Sequence, residues 1–305
     1  MNAKIREEFS GKGLLVKFDE PLSKHTTYRT GGPAAVFVDA RTTEDLRNAL
    51  EIAKYNDFPF YLLGAGSNTL FSDAGFDGAV IRLKDTFGEI AFTGLGNTFS
   101  VRAGAGVALP LLLKKCADSG ASGLEALAGI PGTVGGGLVM NAGTRGGCIS
   151  DKLSKVVIMN PKRSVVTLSK NEVSFAYRHS SLDGQVILSA EFALDKAPAN
   201  EIVKRITDNL VQRLETQPLG SMNAGSVFKN PAGGKPAWQL IDECGLKGYR
   251  AGNVQVSEKH ANFIINTGSA KSGDILKVIE HVRRKVKEKS GIELELEIKI
   301  AGENR

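Results

Sequence analysis

Two glycine-rich stretches are the first features of the sequence that could do chemistry. The stretch GAGSN spans residues 64–68, and AGIPGTVGGGLVMNAG spans residues 128–143 with six glycines and no charged side chain. Flexible linkers are polar and rich in Gly and Ser. The second stretch instead contains apolar residues that favour burial, so it predicts an ordered loop. Backbone N–H groups of such loops bind anions, and Ser67 and Thr133 add hydroxyl groups. Neither stretch has the spacing of a dinucleotide fingerprint or a P-loop. Two such loops in one chain favour a large phosphorylated ligand over two ordinary tight turns.

Three polar stretches contain candidate catalytic groups. In NAGSVFKNP, Ser226 follows Gly225, and its hydroxyl could donate a hydrogen bond or a proton, with Lys229 stabilising the alkoxide. No G-x-S-x-G elbow surrounds this serine, so acyl transfer is disfavoured, and a capped β-turn explains it equally well. In FAYRHSS, Arg178 could bind a carboxylate or phosphate, or form a structural ion pair. Glu297 in LELEIK is by default one of several solvent-facing acids.

Composition excludes several other functions. The 305 residues suffice for two or three domains, and the net charge of +6 comes from cations interleaved with acids, which disfavours nucleic-acid binding. Three separated cysteines predict a reducing compartment. The four histidines lack close ligand spacing, so we predict no metal site. The N-terminus lacks a signal-peptide core and no apolar run approaches about 20 residues, so we expect a cytoplasmic protein that does not insert into membranes.

The elements that would position these residues alternate along the chain. Residues 34–40 and 58–68 predict strands around a helix capped at Thr42, and residues 101–120 predict a strand, a turn and a helix ended by Gly120. Three strands follow the second glycine stretch. A helix capped by Asn200 is predicted to bury Ile202, Ile206, Leu210 and Leu214. A helix in 236–245, a strand in 260–267, an amphipathic helix ending near 290 and an alternating strand over 291–300 complete the prediction.

Taken in order, these stretches resemble one enzyme family. HTTYRTGG, LLGAGSN, AGIPGTVGGG, MNAG, YRHS, AGSVFKNP, LIDECGLKG, KHANFIIN and LELEIKIAG follow one another along nearly the whole chain, as in UDP-N-acetylenolpyruvoylglucosamine reductase (UDP-N-acetylmuramate dehydrogenase). The resemblance implies an α+β chain with a two-part FAD-binding fold of the vanillyl-alcohol-oxidase type and a C-terminal α/β substrate domain. It implies subdomains at 1–80, joined by 293–305, and at 81–198, and a substrate domain at 199–292.

The resemblance also implies the ligands and their sites. These are non-covalent FAD, NADPH as reductant and a UDP-sugar enolpyruvyl ether as substrate. Arg178, Ser226 and Glu297 match the family's catalytic residues. Residues implied near the substrate are Lys229, Asn230, Gln239 and His260. Residues implied near FAD are Tyr28, Arg29, Gly64, Ala65, Gly66, Ser67, Asn68, Gly129, Ile130, Pro131, Gly132, Thr133, Gly135, Gly136, Asn141, Ala142 and Gly143.

The chain departs from the family pattern at one point. It reads MNAGTRGGC where family members often read MNAGAYGG, so Arg145 stands in place of an aromatic residue near the cofactor stretch. It resembles the shorter subtype, because no long insertion separates YRHSS from VILSAEFAL. Two alternatives stay open at this point: another flavin oxidoreductase of the same fold, and a non-catalytic binder of nucleotides or nucleic acid. The oligomeric state also stays open, a monomer being compatible.

Overall fold

The computed structural model describes residues 3–302. The helices are α1 Ala3–Gly11, α2 Thr43–Tyr55, α3 Leu109–Ser119, α4 Val134–Val139, α5 Ala199–Thr216, α6 Ala237–Glu243 and α7 Ser272–Ser290. The strands are β1 Leu15–Pro21, β2 Pro33–Ala40, β3 Phe60–Leu62, β4 Thr69–Phe71, β5 Phe76–Leu83, β6 Ile90–Leu95, β7 Thr98–Gly104, β8 Ala121–Ser122, β9 Gly143–Thr144, β10 Gly147–Cys148, β11 Leu153–Met159, β12 Val165–Ser169, β13 Phe175–Ala176, β14 His179–Ser180, β15 Val186–Lys196, β16 Arg250–Ala251, β17 Val254–Val256, β18 Ile264–Asn266 and β19 Lys299–Ala301.

The chain divides into two compact units, each made of separate segments. Unit 1 contains residues 1–17, 37–65 and 79–212, and unit 2 contains residues 18–36, 66–78 and 213–305. A four-stranded sheet has the order β1-β2-β5-β3, with β3 parallel to β5. The domain boundaries implied by the resemblance stay a prediction, and their ends at residues 1, 2 and 303–305 lie outside the described residues.

Unit 1 is built on an antiparallel sheet. The strands have the order β12-β11-β15-β7-β6, and β8 pairs with β15 at its far end. The first half of β15 is buried without interruption, because it lies between β11 and β7 in the sheet. Helix α3 contributes Leu109, Leu112 and Cys116 to the same core. It ends where predicted, at Gly120, whose φ of 72° is left-handed backbone that glycine adopts without strain.

Unit 2 has its own core. Helix α7 buries Ile275, Ile279, Val282 and Val286 at helical spacing, as the sequence predicts. Strands β16, β17 and β18 form an antiparallel sheet, and β19 pairs in parallel with β4. Asp73 accepts hydrogen bonds from the N–H groups of Ser272 and Gly273, at 2.8 and 2.9 Å, and so fixes the start of α7.

Two predicted elements differ from the observed ones. Helix α5 begins at Ala199, so the predicted cap Asn200 lies inside it; the helix buries Ile202, but Leu210 and Leu214 are 36% and 46% exposed. Residues spaced by four drift about 40° per step around a helix of 3.6 residues per turn, so the later leucines turn away from the face of Ile202. The predicted strand over 291–300 is regular only from Lys299, because residues 295–297 pair with a short extended segment through a single bridge.

No helix within residues 3–302 is both long enough and apolar enough to cross a membrane.

Candidate functional site

Gly64, the first residue of the first glycine-rich stretch, meets the second stretch within unit 1. A β-carbon built on Gly64 would lie 2.8 Å from Thr133 Oγ1, so the backbone of one loop touches the side chain of the other. Thr133 caps α4 by accepting a 3.3 Å hydrogen bond from the N–H of Gly136. A larger residue than glycine at position 64 would separate the loops.

Several backbone donors at this meeting point are unused. The second stretch is not a simple open loop, because some of its N–H groups donate to backbone carbonyls. Val134 donates to Val107, Gly135 to Ala105 and Gly137 to Thr133. Within the described part of the chain, the N–H groups of Gly64, Ala65, Gly129, Gly132 and Thr133 are among those that have no protein acceptor. Unpaired N–H groups in glycine loops beside a helix N-terminus suit an anionic ligand such as a pyrophosphate.

Gly135 and Gly136 differ in what surrounds them. A β-carbon on Gly135 would lie 3.1 Å from the β-carbon of Ala105, so this position packs against the protein itself. A β-carbon on the exposed Gly136 would find Thr133 Oγ1 at 3.6 Å, an ordinary contact. Gly136 is therefore the position at which an external ligand can approach the backbone.

Asn141 connects this loop to the candidate catalytic arginine. Its Nδ2 donates a 3.1 Å hydrogen bond to the carbonyl of Ala176, and Ser180 Oγ donates a 2.9 Å bond to the carbonyl of Val139. Asn141 Oδ1 is buried and has no hydrogen-bond partner in residues 3–302. A buried acceptor without a partner is costly, so it indicates a missing donor at this position.

Arg178 occupies a strained turn. Strands β13 and β14 pair Ala176 with His179, which leaves Tyr177 and Arg178 as a two-residue loop. Arg178 has a φ of 53°, a left-handed conformation that non-glycine residues adopt at a cost. Its guanidinium lies 5.0 Å from the ring centroid of Tyr177. Burial and Asp151 raise the pKa of the nearby Cys148 thiol, and Arg178 opposes that shift. Strain of this kind persists where the surrounding structure imposes it, often at functional sites.

Ser226 and Glu297 lie on neighbouring segments of unit 2. The segment that follows Ser226 runs antiparallel to residues 295–297: the N–H of Glu297 donates to the carbonyl of Val227 at 2.8 Å, and the N–H of Lys229 donates to Glu295 at 2.9 Å. Before Ser226, Gly225 has a φ of 76° in a turn closed by Asn223 Oδ1. The tight turn predicted from the sequence is therefore present. It lies directly before Ser226, at the start of the segment that pairs with residues 295–297.

The four residues predicted near the substrate belong to the same unit. Lys229 Nζ lies 3.3 Å from Glu295, and Gln239 Nε2 donates to Glu243. Asn230 Oδ1 accepts a 3.0 Å bond from the N–H of Ala237. The fourth is His260.

The structure alters the ionisation of His260. Its Nδ1 accepts the N–H of Asn262 at 3.3 Å, and its ring lies among Trp238 and Phe263. Burial, and then Lys247, lowers the pKa of His260.

The remaining residues of unit 2 predicted near FAD have mainly backbone roles. The Tyr28 ring is fully buried in the core, and burial raises its pKa. Arg29 is exposed, with a φ of 55°. Gly66 leaves room for the carbonyl of His25, which a β-carbon would overlap. Asn68 Nδ2 donates 3.1 Å to the carbonyl of Glu297, so this residue supports the Glu297 segment. Ser67 is half-buried.

In unit 1 the residues that complete the set lie within or directly after the second stretch. Arg145, where the chain departs from the family pattern, is exposed. Gly143 is required by packing, because a β-carbon there would overlap Cys148. Ile130 and Ala142 are half-buried and Pro131 is exposed. Sequence reasoning did not single out Asn262, although a buried asparagine between the apolar residues of KHANFIIN is a signal for an internal hydrogen-bonding role.

Comparison with known proteins agrees with this geometry. A family model described as FAD binding domain matches residues 34–169, which include both glycine-rich stretches. The protein class is a FAD-dependent oxidoreductase. A second model, described as UDP-N-acetylenolpyruvoylglucosamine reductase, C-terminal domain, matches residues 217–301.

Whole-length relatives give the family. UDP-N-acetylenolpyruvoylglucosamine reductase of Moorella thermoacetica is 43% identical over 96% of each chain, and that of Carboxydothermus hydrogenoformans is 41% identical over 99% of each. The crystal structure of the reductase from Thermus caldophilus has a TM-score of 0.81 and 37% identity, covering 94% of this chain and 98% of that one. The chain belongs to the UDP-N-acetylenolpyruvoylglucosamine reductase family, and the fold class predicted from the sequence is confirmed.

Proposed function

We propose that this protein reduces the enolpyruvyl group of UDP-N-acetylglucosamine enolpyruvate to UDP-N-acetylmuramate, with NADPH as reductant, in peptidoglycan precursor synthesis in the cytoplasm. The observation that carries the proposal is the backbone register that brings the Ser226 segment beside Glu297. FAD, when bound, accepts a hydride from NADPH and supplies it to the terminal carbon of the enolpyruvyl double bond.

The pyrophosphate of FAD is proposed to lie on the unpaired N–H groups of Gly64, Ala65, Gly129, Gly132 and Thr133. Support comes from the contact between the two stretches and from the open approach at Gly136. The buried Oδ1 of Asn141 is proposed to accept a hydrogen bond from the cofactor, which supplies the donor missing from the protein.

Arg178 is proposed to stabilise the charge that develops on the substrate. Hydride addition leaves negative charge beside the carboxylate, so a cation at that carboxylate is more favourable in the transition state than before it. A unit-charge pair at about 4 Å interacts by about 4 kcal/mol at an effective dielectric near 20, an upper bound of about a thousandfold in rate. The turn imposes a left-handed backbone on Arg178, and this constraint holds the point from which its side chain extends.

Ser226 is proposed to protonate the carbon that bears the carboxylate. Serine is a weak acid, so its position has to compensate. The turn at Gly225 and the pairing with residues 295–297 support such positioning. Glu297 in its protonated form is proposed to donate a hydrogen bond to the developing enolate.

Lys229, Asn230, Gln239 and His260 are proposed to bind the UDP-sugar. The pKa of His260 is lowered, so the ring is neutral near pH 7. Because Nδ1 accepts the N–H of Asn262, the proton is on Nε2, which is then a hydrogen-bond donor rather than a charge.

The test measures the two half-reactions of the Ser226→Ala variant separately by stopped-flow spectroscopy. Reduction of the bound flavin by NADPH should keep its rate, whereas reoxidation by the UDP-enolpyruvyl sugar should slow by about 100-fold or more, since a proton donor is lost. Ser10→Ala is the matched control, because the Ser10 hydroxyl donates to the carbonyl of Arg6 within its own helix α1. Equal slowing of both half-reactions, or unchanged reoxidation, would refute the role of Ser226.

A further inference from the structure

The side chain of Asn262 makes the hydrogen bonds that a neighbouring strand would make to the segment that carries Ser226. Its Oδ1 accepts the N–H of Phe228 at 2.9 Å, and its Nδ2 donates to the carbonyl of the same Phe228 at 2.8 Å. Its own backbone carbonyl accepts the N–H of Val227 at 2.9 Å. A carboxamide offers the same donor and acceptor as a peptide unit, so the single residue Asn262 bonds this segment through both its side chain and its backbone.

The opposite edge of the segment is held by residues 295–297. Glu297 bonds to the carbonyl of Val227, and Phe228 forms an antiparallel bridge with Leu296. Ser226 itself forms a bridge with Phe263, the residue that follows Asn262. Residues 226–229 therefore lie between two partners, as a central strand does, although the segment is too short to count as a regular strand.

Both edges together set the direction of the Ser226 side chain. A shift of one residue in strand register turns every side chain to the opposite face. Asn262 is 4% exposed and Phe228 is 1% exposed, so water cannot take over these hydrogen bonds if the side chain is removed. The two bonds to Phe228 fix its peptide groups, and with them the register of the preceding Ser226.

We propose that Asn262 is a positioning residue for the proton transfer by Ser226, an inference that rests on the proposed function. Asn262 does not itself move a proton. Its side chain keeps the backbone at Phe228 in one register, and this register sets the direction of the Ser226 side chain on the segment that pairs with residues 295–297. Misplacement of a reacting group by about 1 Å can cost about 100-fold in rate, which sets the expected size of the effect.

The test is a double-mutant cycle on the purified full-length flavoprotein, with FAD absorbance and thermal melting as checks on folding. Asn262→Leu should slow flavin reoxidation by the UDP-enolpyruvyl sugar by about 100-fold while NADPH still reduces the flavin within about threefold of the wild-type rate. In the Ser226→Ala background the same substitution should change reoxidation by less than about threefold, because contacts that act through one group are not additive.

Asn262→Asp keeps the proposal testable if the leucine variant does not fold. It keeps the size and the acceptor for the Phe228 N–H, but it loses the donor to the Phe228 carbonyl, so a smaller loss of about tenfold in reoxidation is expected. Asn266→Asp is the matched control. Its Oδ1 accepts two N–H groups and its Nδ2 donates to the Tyr28 carbonyl, but its side chain has no bond to residues 226–229. It should leave the ratio of the two half-reactions unchanged.

The outcomes separate the two proposals. If Ser226→Ala itself leaves reoxidation unchanged, the proposed function of Ser226 fails and the positioning role fails with it. If Ser226→Ala slows reoxidation but the Asn262 variants lose the same factor in both backgrounds, or slow both half-reactions equally, only the positioning role is overturned.

Discussion

At the scale of single residues, the candidate site is defined by backbone and hydrogen-bond constraints more than by unusual side chains. Arg178 and Asn141 both have positive φ, at 53° and 41°, a conformation that asparagine tolerates better than arginine. Ser226 and Glu297 are ordinary residue types whose proximity comes from backbone pairing. Their chemistry therefore depends on how neighbours hold them.

His260 makes the stability of unit 2 depend on pH. Its pKa is lowered from 6.5 by burial, so the unfolded chain takes up a proton at higher pH than the folded chain. The contribution of His260 to the free energy of unfolding is therefore complete above about pH 6.5. It falls as the pH drops through that value toward the lower pKa of the folded state. In His260→Gln the free energy of unfolding should fall less between pH 7.5 and 5.5.

Urea unfolding can measure this directly. The chain has one tryptophan, Trp238, whose ring centroid lies 6.2 Å from that of His260, so its fluorescence reports on unit 2. A pH dependence of the same size in wild type and His260→Gln would contradict the prediction.

At the scale of elements, α4 and the loop before it form the proposed pyrophosphate site. The helix is only six residues long, and its glycines have different roles although they are adjacent in sequence. Gly135 packs against Ala105, whereas Gly136 is exposed. The hairpin with Arg178 is bonded to the end of this helix through Ser180 and Val139, so the cofactor stretch and the arginine form one local assembly.

The glycine pair gives a matched test of the proposed FAD site. Gly136→Val should weaken FAD binding by about tenfold or more, because the new side chain occupies the approach of the ligand, a loss of about 1.4 kcal/mol. Thermal melting of the apoprotein should change little, since the position is open. Gly135→Val should instead lower the melting temperature of the apoprotein, because its β-carbon would lie 3.1 Å from that of Ala105 and the methyl groups add to this crowding.

Titration of apoprotein with FAD, followed by flavin fluorescence, gives the affinities. Unchanged FAD affinity in Gly136→Val would show that the cofactor does not approach the backbone at this position.

At the scale of the whole molecule, the two units contain different parts of the proposed machinery. Arg178 and the second glycine stretch belong to unit 1, and Ser226, Glu297 and the proposed substrate residues belong to unit 2. Each unit has its own apolar core. The net charge of +6 matches the anionic character of the proposed UDP-sugar and NADPH.

This charge predicts a salt dependence of substrate capture. Raising the ionic strength shortens the Debye length from about 10 Å at 0.1 M to about 3 Å at 1 M, so steering of the anionic sugar should weaken and kcat/KM should fall. The value of kcat should change much less, because the chemical step occurs after binding. Steady-state kinetics in potassium chloride measure both, and a parallel fall of kcat and kcat/KM would argue against steering.

The sequence by itself determined the family, the fold class and most elements, because these depend on local patterns. Thr42 caps the start of α2 with its side-chain hydroxyl, Gly120 ends α3 with a left-handed backbone, and the apolar spacing of α7 identifies its buried face. The motifs also identified Gly64 and Thr133 as candidate ligand-binding residues before their contact was visible.

Only the tertiary structure decided which of these residues meet and which glycines are open. The partner of Gly135 is Ala105, the partner of Asn68 is the Glu297 backbone, and the partner of Phe228 is the Asn262 side chain. These contacts join residues distant in sequence, so no local pattern encodes them. The short final strand has the same origin: an alternating pattern indicates a strand, but pairing with other segments decides how much of it becomes regular.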